Sequence, residues 1–144
     1  MKDVMSTPNE PNCLPDKHGV VAILQDEVGR YLFIRRGLKL KRAPGWWCFV
    51  GGEVDPGEAH SEAIVREVQE EVGLVVRALD KVHESISPNG EYRLHWLRVE
   101  LSHAPQTIVP HPDEVEEARW LTAEDGLKLE PILPGLKAWL EKRR

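Results

Sequence analysis

Three glutamates are spaced so that they fall on one face of a predicted helix. Glu67, Glu70 and Glu71 stand at positions i, i+3 and i+4, within an arc of roughly 100°. Like charges at this spacing destabilise an isolated helix by on the order of a few tenths of a kcal/mol, unless a cation lies among them. Clustered carboxylates suit Mg²⁺ or Mn²⁺ held together with substrate phosphates. The pattern therefore indicates a divalent-metal site, with a solvated acidic face as the alternative.

The helix that carries these glutamates is predicted over residues 59–72. It ends at Gly73, and glycine is typical of the position that follows a helix. An apolar stripe beside the acidic face would pack against a sheet and so fix the rotation of the helix; it consists of Ile64, Val65, Val68 and Val72. Arg66 is the nearest basic partner for the glutamates. A glycine pair and Glu58 precede the helix, where a turn carbonyl or carboxylate could converge with the helix side chains.

Short apolar and β-branched runs flank this helix. Residues 19–24 and 31–34 are predicted to form a hairpin, because turn residues separate them. Two antiparallel strands joined by a turn are predicted at residues 74–86 and 92–101. A further short strand is predicted at residues 118–121 and a C-terminal helix at residues 132–144. This order predicts an α/β or α+β domain with a mixed sheet between helices. We expect one domain over residues 18–144, preceded by a flexible arm over residues 1–17.

Residues 52–74 resemble a complete Nudix box, the signature of the MutT-like Nudix hydrolases. The motif reads glycine, five residues, glutamate, seven residues, arginine–glutamate, an aliphatic residue, any residue, two glutamates, any residue, glycine and an aliphatic residue. Its defined positions are filled by Gly52, Glu58, Arg66, Glu67, Val68, Glu70, Glu71, Gly73 and Leu74. Val50 stands before the glycine pair, where the family often has proline, so the turn into the motif is expected to be less rigid.

The resemblance implies a fold, an activity and a set of site residues. The fold is an α/β/α sandwich with a mixed β-sheet, and the activity is hydrolysis of a nucleoside diphosphate linked to another moiety. Glu67, Glu70 and Glu71 would bind Mg²⁺, with Mn²⁺ as a substitute, and the Gly51 carbonyl could join them. Glu58 would support Arg66 or the metal site, and Arg66 would orient the glutamates. A downstream glutamate can serve as a further ligand or base in this family; we select Glu114, with Glu116 and Glu117 as rivals.

Substrate-contacting residues are expected upstream of the motif. Arg35 and Arg36 begin a basic segment that could bind phosphate or ribose, or could remain a solvated loop. Trp46 and Trp47 are adjacent in an extended segment, so we expect one to be buried and the other to lie near the cleft. The six histidines lack the spacing of metal ligands and are interpreted as surface or packing residues.

Composition restricts the setting and the partners. The net charge of −5 discourages long-range attraction to nucleic acid or to an anionic membrane. The longest aliphatic run, residues 20–24, is far shorter than the roughly 20 residues of a membrane span. Two cysteines, Cys13 and Cys48, suit a reducing, cytoplasmic setting better than a disulfide framework. The expected partner is therefore a nucleotide-derived small molecule, and a homodimer stays open.

The substrate class stays open at this level. Pro88 and Tyr92 each lie one place from spacings associated with ADP-ribose and dinucleoside-polyphosphate hydrolases in this family. Oxidised deoxynucleotides, nucleotide sugars and capped RNA are further alternatives. A second class of function is a catalytically silent nucleotide sensor or interaction module. Such a module is expected to lose one or more of the three helix glutamates, all of which are present here.

Overall fold

The computed structural model describes residues 15–144. In chain order the described part of the chain forms strands β1 to β4, helix α1, strands β5 to β7 and helices α2 and α3. Their bounds are β1 Lys17–Leu24, β2 Tyr31–Arg36, β3 Trp47–Cys48, β4 Gly51–Glu53, α1 His60–Val72, β5 Val76–Ile86, β6 Tyr92–Leu101, β7 Val115–Leu121, α2 Ala123–Gly126 and α3 Pro134–Glu141.

The strands form two sheets. The four-stranded sheet has the order β4-β1-β6-β5, and the three-stranded sheet has the order β3-β2-β7. β1 runs parallel to β6 and antiparallel to β4, so the first sheet is mixed. β5 and β6 pair antiparallel, as the turn between them predicts, and β2 pairs antiparallel with both of its neighbours. The predicted mixed sheet is therefore confirmed.

Helices cover both faces of these sheets. Along β1, Val20, Ala22 and Leu24 point into the apolar cluster that holds the buried face of α1, whereas Ile23 points into the cluster that holds α3. β2 divides in the same way, because alternate residues of a strand face opposite sides. The opposite cluster is rich in aromatic residues and includes the buried side chains of α3, namely Leu136, Trp139 and Leu140. The molecule is an α/β/α sandwich, as expected.

The predicted hairpin of β1 and β2 is wrong. The turn itself exists: the Asp26 amide donates to the carbonyl oxygen of Arg30 at 2.9 Å, and Gly29 has a φ of 87°. Within the described residues, β1 and β2 meet at the isolated bridge Gln25–Tyr31 and then separate into different sheets. The turn residues cause the chain to reverse direction. The strands with which β1 and β2 pair are determined instead by the burial of both strands on both faces.

The other predicted elements lie near their predicted positions. α1 begins one residue later than expected and ends at Gly73, which has the left-handed φ of 69°. β7 begins three residues earlier than its prediction, and α3 is shorter than its prediction. The two short strands β3 and β4 and the one-turn helix α2 were not predicted. Most of the predicted arm, residues 1–14, lies outside the described residues, and Lys17 already belongs to β1. No helix in residues 15–144 is long and apolar enough to cross a membrane.

Candidate active site

Two consecutive glycines bring β4 close to both β1 and α1. A Cβ atom on Gly51 would overlap the carbonyl oxygen of Val20, and one on Gly52 would overlap the carboxyl group of Glu67. Hydrogen is therefore the side chain that both close approaches require. The glycine pair lets a glutamate of α1 reach the strand backbone, so turn and helix converge as predicted.

Arg66 joins this turn to the helix through a fork of hydrogen bonds. Its Nε and Nη2 donate to the two carboxylate oxygens of Glu58 at 2.8 and 2.9 Å. Its Nη1 donates to Oε1 of Glu67 at 2.8 Å and to Oε1 of Glu70 at 3.1 Å, and Nη2 also donates to the Glu53 carbonyl at 3.0 Å. Its hydrogen bonds hold the pKa of Glu58 at about 2, and the same carboxylates raise the pKa of Arg66. One guanidinium thus orients three glutamates.

Glu67 and Glu71 are buried on the inner side of α1, at 9% and 7% exposure. Burial raises the pKa of Glu71 well above its usual value, and the carboxyl groups of Glu67 and Glu114 raise it further. Burial also raises the pKa of Glu67, although its hydrogen bonds with Glu71 and Arg66 act in the opposite direction. Each of the two carboxyl groups therefore affects the pKa of the other, as expected of two acids that share a desolvated place.

This buried acidic pair fits a divalent cation. Two carboxylates share one desolvated place, and a third, on Glu70, lies beside them at the exposed edge. A hard cation takes oxygen ligands of this kind and would offset the repulsion between the two buried carboxylates. Gly51 lies in β4, one residue before the glycine that contacts Glu67. The candidate donors described here are therefore all oxygen atoms.

Glu114 approaches the same place from the loop before β7. The His111 amide donates to the carbonyl oxygen of Glu71 at 2.8 Å, which attaches this loop to the end of α1. The Gly37 amide donates to the carbonyl of Glu114 at 2.9 Å, and the charge of Glu114 acts directly on Glu71. Its rivals lie on β7, where Glu116 is exposed and Glu117 pairs with Arg119. Glu114, itself exposed, is therefore close enough to Glu71 for its charge to raise the pKa of Glu71.

The predicted substrate-contacting residues divide into two groups. Arg36 acts electrostatically on Glu71, and its Nε donates to the carbonyl of Arg42 at 3.0 Å. Arg35 is turned to the following loop, where its Nε donates to the Gly45 carbonyl at 3.1 Å. Arg36 is thus the one of these two arginines whose charge lowers the pKa of Glu71, whereas Arg35 holds the loop through its contact with Gly45.

The tryptophan pair has one buried member, as expected. Trp47 is 5% exposed, belongs to the aromatic cluster beneath α3 and lies under the guanidinium of Arg119, 5.0 Å from the ring centre. It is a packing residue in this structure. Trp46 is half-buried, and its place near the cleft stays a prediction. Cys48, next in the chain, is buried, and burial raises its thiol pKa to about 12.

The interpretation of the six histidines as surface or packing residues stays a prediction, but three of them lie together in the structure. His18, His60 and His95 each offer a ring nitrogen within 4.8 Å of the others. They come from β1, the first position of α1 and β6, so no spacing along the chain could have shown them. Parallel pairing of β1 with β6 places His18 opposite Arg93, two residues before His95. Only the pairing of β1 with β6 could have indicated that these histidines lie together.

Comparison with known proteins agrees with this site. A family model described as NUDIX domain matches residues 15–142. The NAD-capped RNA hydrolase NudC of Pseudomonas entomophila is 34% identical over 100 residues, covering 65% of this chain and 36% of that protein. The isopentenyl-diphosphate Delta-isomerase of Salmonella arizonae is 32% identical over 111 residues, covering 73% of this chain and 61% of that protein. This chain therefore spans about a third of the NudC relative.

The fold has a close counterpart among solved structures. The crystal structure of a MutT protein from Methanosarcina mazei superposes with a TM-score of 0.77 at 24% identity, covering 90% of this chain and 93% of that one. This likeness concerns the fold. The family model spans nearly all of the described residues, and every defined position of the Nudix box is filled. The chain belongs to the NUDIX family.

Proposed function

We propose that the protein is a metal-dependent pyrophosphohydrolase that cleaves a phosphoanhydride bond in a nucleoside diphosphate linked to another moiety. The observation that carries the proposal is the buried Glu67–Glu71 pair, with Arg66 donating a hydrogen bond to Glu67 at 2.8 Å. Family membership supports hydrolysis in general, and the NudC relative is named as a hydrolase of NAD-capped RNA. Mg²⁺, or Mn²⁺ in its place, is the cation that these oxygens suit.

The roles of the acidic residues follow from their burial and contacts. Glu67 and Glu71 would bind the main cation, and Glu70, at the exposed edge, would bind the same ion or a second one. When bound, the cation would lower the pKa of a water ligand and neutralise phosphate oxygens. Glu58 acts through Arg66, which keeps the helix glutamates in place. Glu114 is our candidate for the general base or a further ligand, and the Gly51 carbonyl for a backbone ligand.

The substrate would approach from the side of Arg36. Its guanidinium is near Glu71. Once a cation has neutralised the acidic pair, this positive charge would bind a phosphate group of the substrate. Arg35 holds the loop between β2 and β3 through the Gly45 carbonyl, and Trp46 offers a half-buried aromatic face for a base. With these assignments, the basic segment attracts an anionic substrate locally although the chain as a whole has a net negative charge.

The first experiment measures product release from a substrate panel with Mg²⁺ or Mn²⁺. The panel contains ADP-ribose, nucleotide sugars, dinucleoside polyphosphates, NAD, normal and oxidised deoxynucleoside triphosphates, and isopentenyl diphosphate for the isomerase chemistry of one relative. Glu71→Gln should lower kcat/KM by more than about 100-fold, because it removes a charged ligand without changing the shape of the side chain.

Glu124→Gln is the matched control, since Glu124 is exposed on α2 and has the same charge. It should leave kcat/KM unchanged. Metal-dependent binding of a nucleotide without turnover of any compound would instead support a nucleotide sensor. Isomerisation of isopentenyl diphosphate without phosphate release would overturn the hydrolase proposal.

The setting and assembly are further proposals. The burial of Cys48 and the absence of a second cysteine from residues 15–144 favour the reducing cytoplasm. Light scattering on the purified chain would distinguish a monomer from the homodimer that the sequence leaves open. The acidic net charge still argues against an extended nucleic-acid surface.

A further inference from the structure

Three imidazole rings meet at the start of α1, away from the acidic pair. The ring centres of His60 and His95 are 4.1 Å apart, those of His18 and His95 are 5.1 Å apart, and those of His18 and His60 are 5.6 Å apart. One nitrogen from each ring lies within 4.8 Å of the other two. His60 precedes Glu67 by seven residues, or about 10 Å along the helix axis, so this cluster is separate from the glutamate site.

The shortest contact in the cluster is a hydrogen bond between two ring nitrogens. Nδ1 of His18 and Nε2 of His95 are 2.8 Å apart, so one of these nitrogens carries a proton and the other a lone pair. Tetrahedral coordination at usual Zn–N lengths would separate two donor nitrogens by about 3.3 Å. Small side-chain rotations would therefore open this pair to the separation that a shared ion needs, with the ion replacing the hydrogen bond.

A carboxylate stands behind the buried histidine. His95 is 3% exposed, and among the described residues no hydrogen-bond partner reaches its Nδ1. Oε1 of Glu84 lies 3.7 Å from that atom. A carboxylate behind the distal nitrogen of a histidine favours the tautomer that presents Nε2 to a metal. Nε2 is the atom that faces His18.

The charges around the cluster partly oppose a cation. Lys81 and Arg93 are nearby, and Glu84, which pairs with them at 2.6 and 3.0 Å, offsets only part of their positive charge. Burial lowers the pKa of His95 to about 4 and also lowers the pKa of His60, so both rings are neutral near pH 7, the form that binds metal. His18 and His60 line an open cleft, which gives an ion a path from solvent.

We propose that His18, His60 and His95 form a second metal site for a borderline divalent transition-metal ion, of which Zn²⁺ fits best, with water as the fourth ligand. Imidazole nitrogens select Zn²⁺, Cu²⁺ or Ni²⁺ over Mg²⁺, so this site and the glutamate site take different ions. The positive end of the α1 dipole opposes a cation here and weakens the site. The ion would tie the first residue of α1 to β1 and β6, which hold the other two ligands.

The test uses untagged, chelator-treated protein and measures Zn²⁺ binding by equilibrium dialysis with elemental analysis. Millimolar Mg²⁺ is present throughout to occupy the glutamate site. The expected result is one Zn²⁺ per chain, a rise in Tm, and with Co²⁺ in its place an intense visible absorption typical of tetrahedral coordination. His60→Asn and His18→Asn should each weaken binding by more than about 100-fold, and Glu84→Gln by about 10-fold.

Two controls make the result decisive. His103→Asn removes an exposed histidine outside the cluster and should leave Zn²⁺ binding unchanged. Glu67→Gln should also leave it unchanged, because that residue belongs to the other site. Circular dichroism verifies that His60→Asn and His18→Asn are folded, and these half-buried positions are used instead of buried His95. Lack of Zn²⁺ binding by the wild type, equal binding by His60→Asn, or loss of binding in Glu67→Gln would overturn the proposal.

Discussion

One arginine organises the acidic residues of the candidate active site. The guanidinium of Arg66 gives two hydrogen bonds to Glu58 and one each to Glu67 and Glu70. A planar fork can contact three carboxylates at once, whereas an ammonium group is a single point of charge. The arginine of the motif is therefore not replaceable by charge alone.

Arg66→Lys should lower kcat/KM by about 10- to 100-fold and weaken activation by Mg²⁺, because the glutamates lose their common support. Steady-state kinetics across a Mg²⁺ titration measures both effects. Arg98→Lys is the control, since Arg98 forms an exposed ion pair with Asp80 at 2.8 Å. Equal kinetics for Arg66→Lys and wild type would show that the fork does not position the glutamates.

The raised pKa of Glu71 predicts an unusual pH dependence for the metal-free protein. Between the ordinary glutamate pKa of 4.5 and the higher pKa in the folded protein, the folded state binds more protons than the unfolded state. The free energy of unfolding contributed by this group is thus fully present at low pH and is lost as the pH rises. Glu67 and Glu114 strengthen the effect, and Arg36 opposes it.

Urea unfolding in a chelator, from about pH 5 to about pH 8, measures this loss. The difference in unfolding free energy between wild type and Glu71→Gln isolates it, because His60 and His95 titrate in both proteins. Wild type should lose stability relative to Glu71→Gln as the pH rises, and Mg²⁺ should reverse that trend. A difference that is constant with pH would contradict the raised pKa.

At the scale of elements, short-range sequence patterns predict the helix and the turn that depend only on neighbouring residues. The stripe of apolar residues, Gly73 and the motif predicted α1 to within a residue, and the turn at residues 87–90 predicted the pairing of β5 with β6. The partners of β1 could not be predicted in this way, because β6 lies some seventy residues away and β4 follows a basic loop. The histidine cluster depends on that same pairing, so it was missed with it.

The two glycines of β4 have different neighbours, and this predicts different effects of alanine. Gly51→Ala would press Cβ against the backbone carbonyl of Val20, which cannot move without opening the sheet. Gly52→Ala would press Cβ against the end of the Glu67 side chain, which can rotate away. Gly51→Ala should therefore lower Tm, whereas Gly52→Ala should stay folded and lose metal-dependent activity.

Thermal unfolding and Mg²⁺-dependent kinetics on both variants separate these outcomes. Gly57→Ala serves as a reference for backbone strain, because Gly57 has a φ of 79° and, among the described residues, a Cβ added there would have no atom within 4 Å. Normal activity in Gly52→Ala would show that Glu67 does not need its approach to β4.

At the scale of the whole molecule, the sheets separate two kinds of apolar packing. The aliphatic cluster beneath α1 supports the glutamates, and the aromatic cluster beneath α3 lies on the opposite face. Leu136, Trp139 and Leu140 stand at positions i, i+3 and i+4 of α3, and they are buried together. The aromatic partners they meet come from distant strands, which periodicity along one helix does not reveal.

This separation predicts that stability and metal binding can be changed independently. Trp139 is 5% exposed, lies 5.8 Å from Trp96 and 5.7 Å from Phe49 between ring centres, and is covered by Arg143 at 3.8 Å. Trp139→Ala should lower the free energy of unfolding by about 3–5 kcal/mol, because it leaves a cavity in this cluster. That is a large part of the roughly 5–15 kcal/mol by which domains are stable, so the variant is studied at low temperature.

Urea unfolding measures the loss of stability, and a Mg²⁺ titration of activity below the unfolding transition measures the site. The apparent Mg²⁺ affinity of Trp139→Ala should match that of wild type, since the glutamates face the other cluster. Glu71→Gln should give the reverse pattern, with weakened Mg²⁺ activation in a protein that is not destabilised at neutral pH. If folded Trp139→Ala also loses Mg²⁺ activation, the two faces of the sandwich are coupled, and the C-terminal helix must be counted among the elements that position the acidic pair.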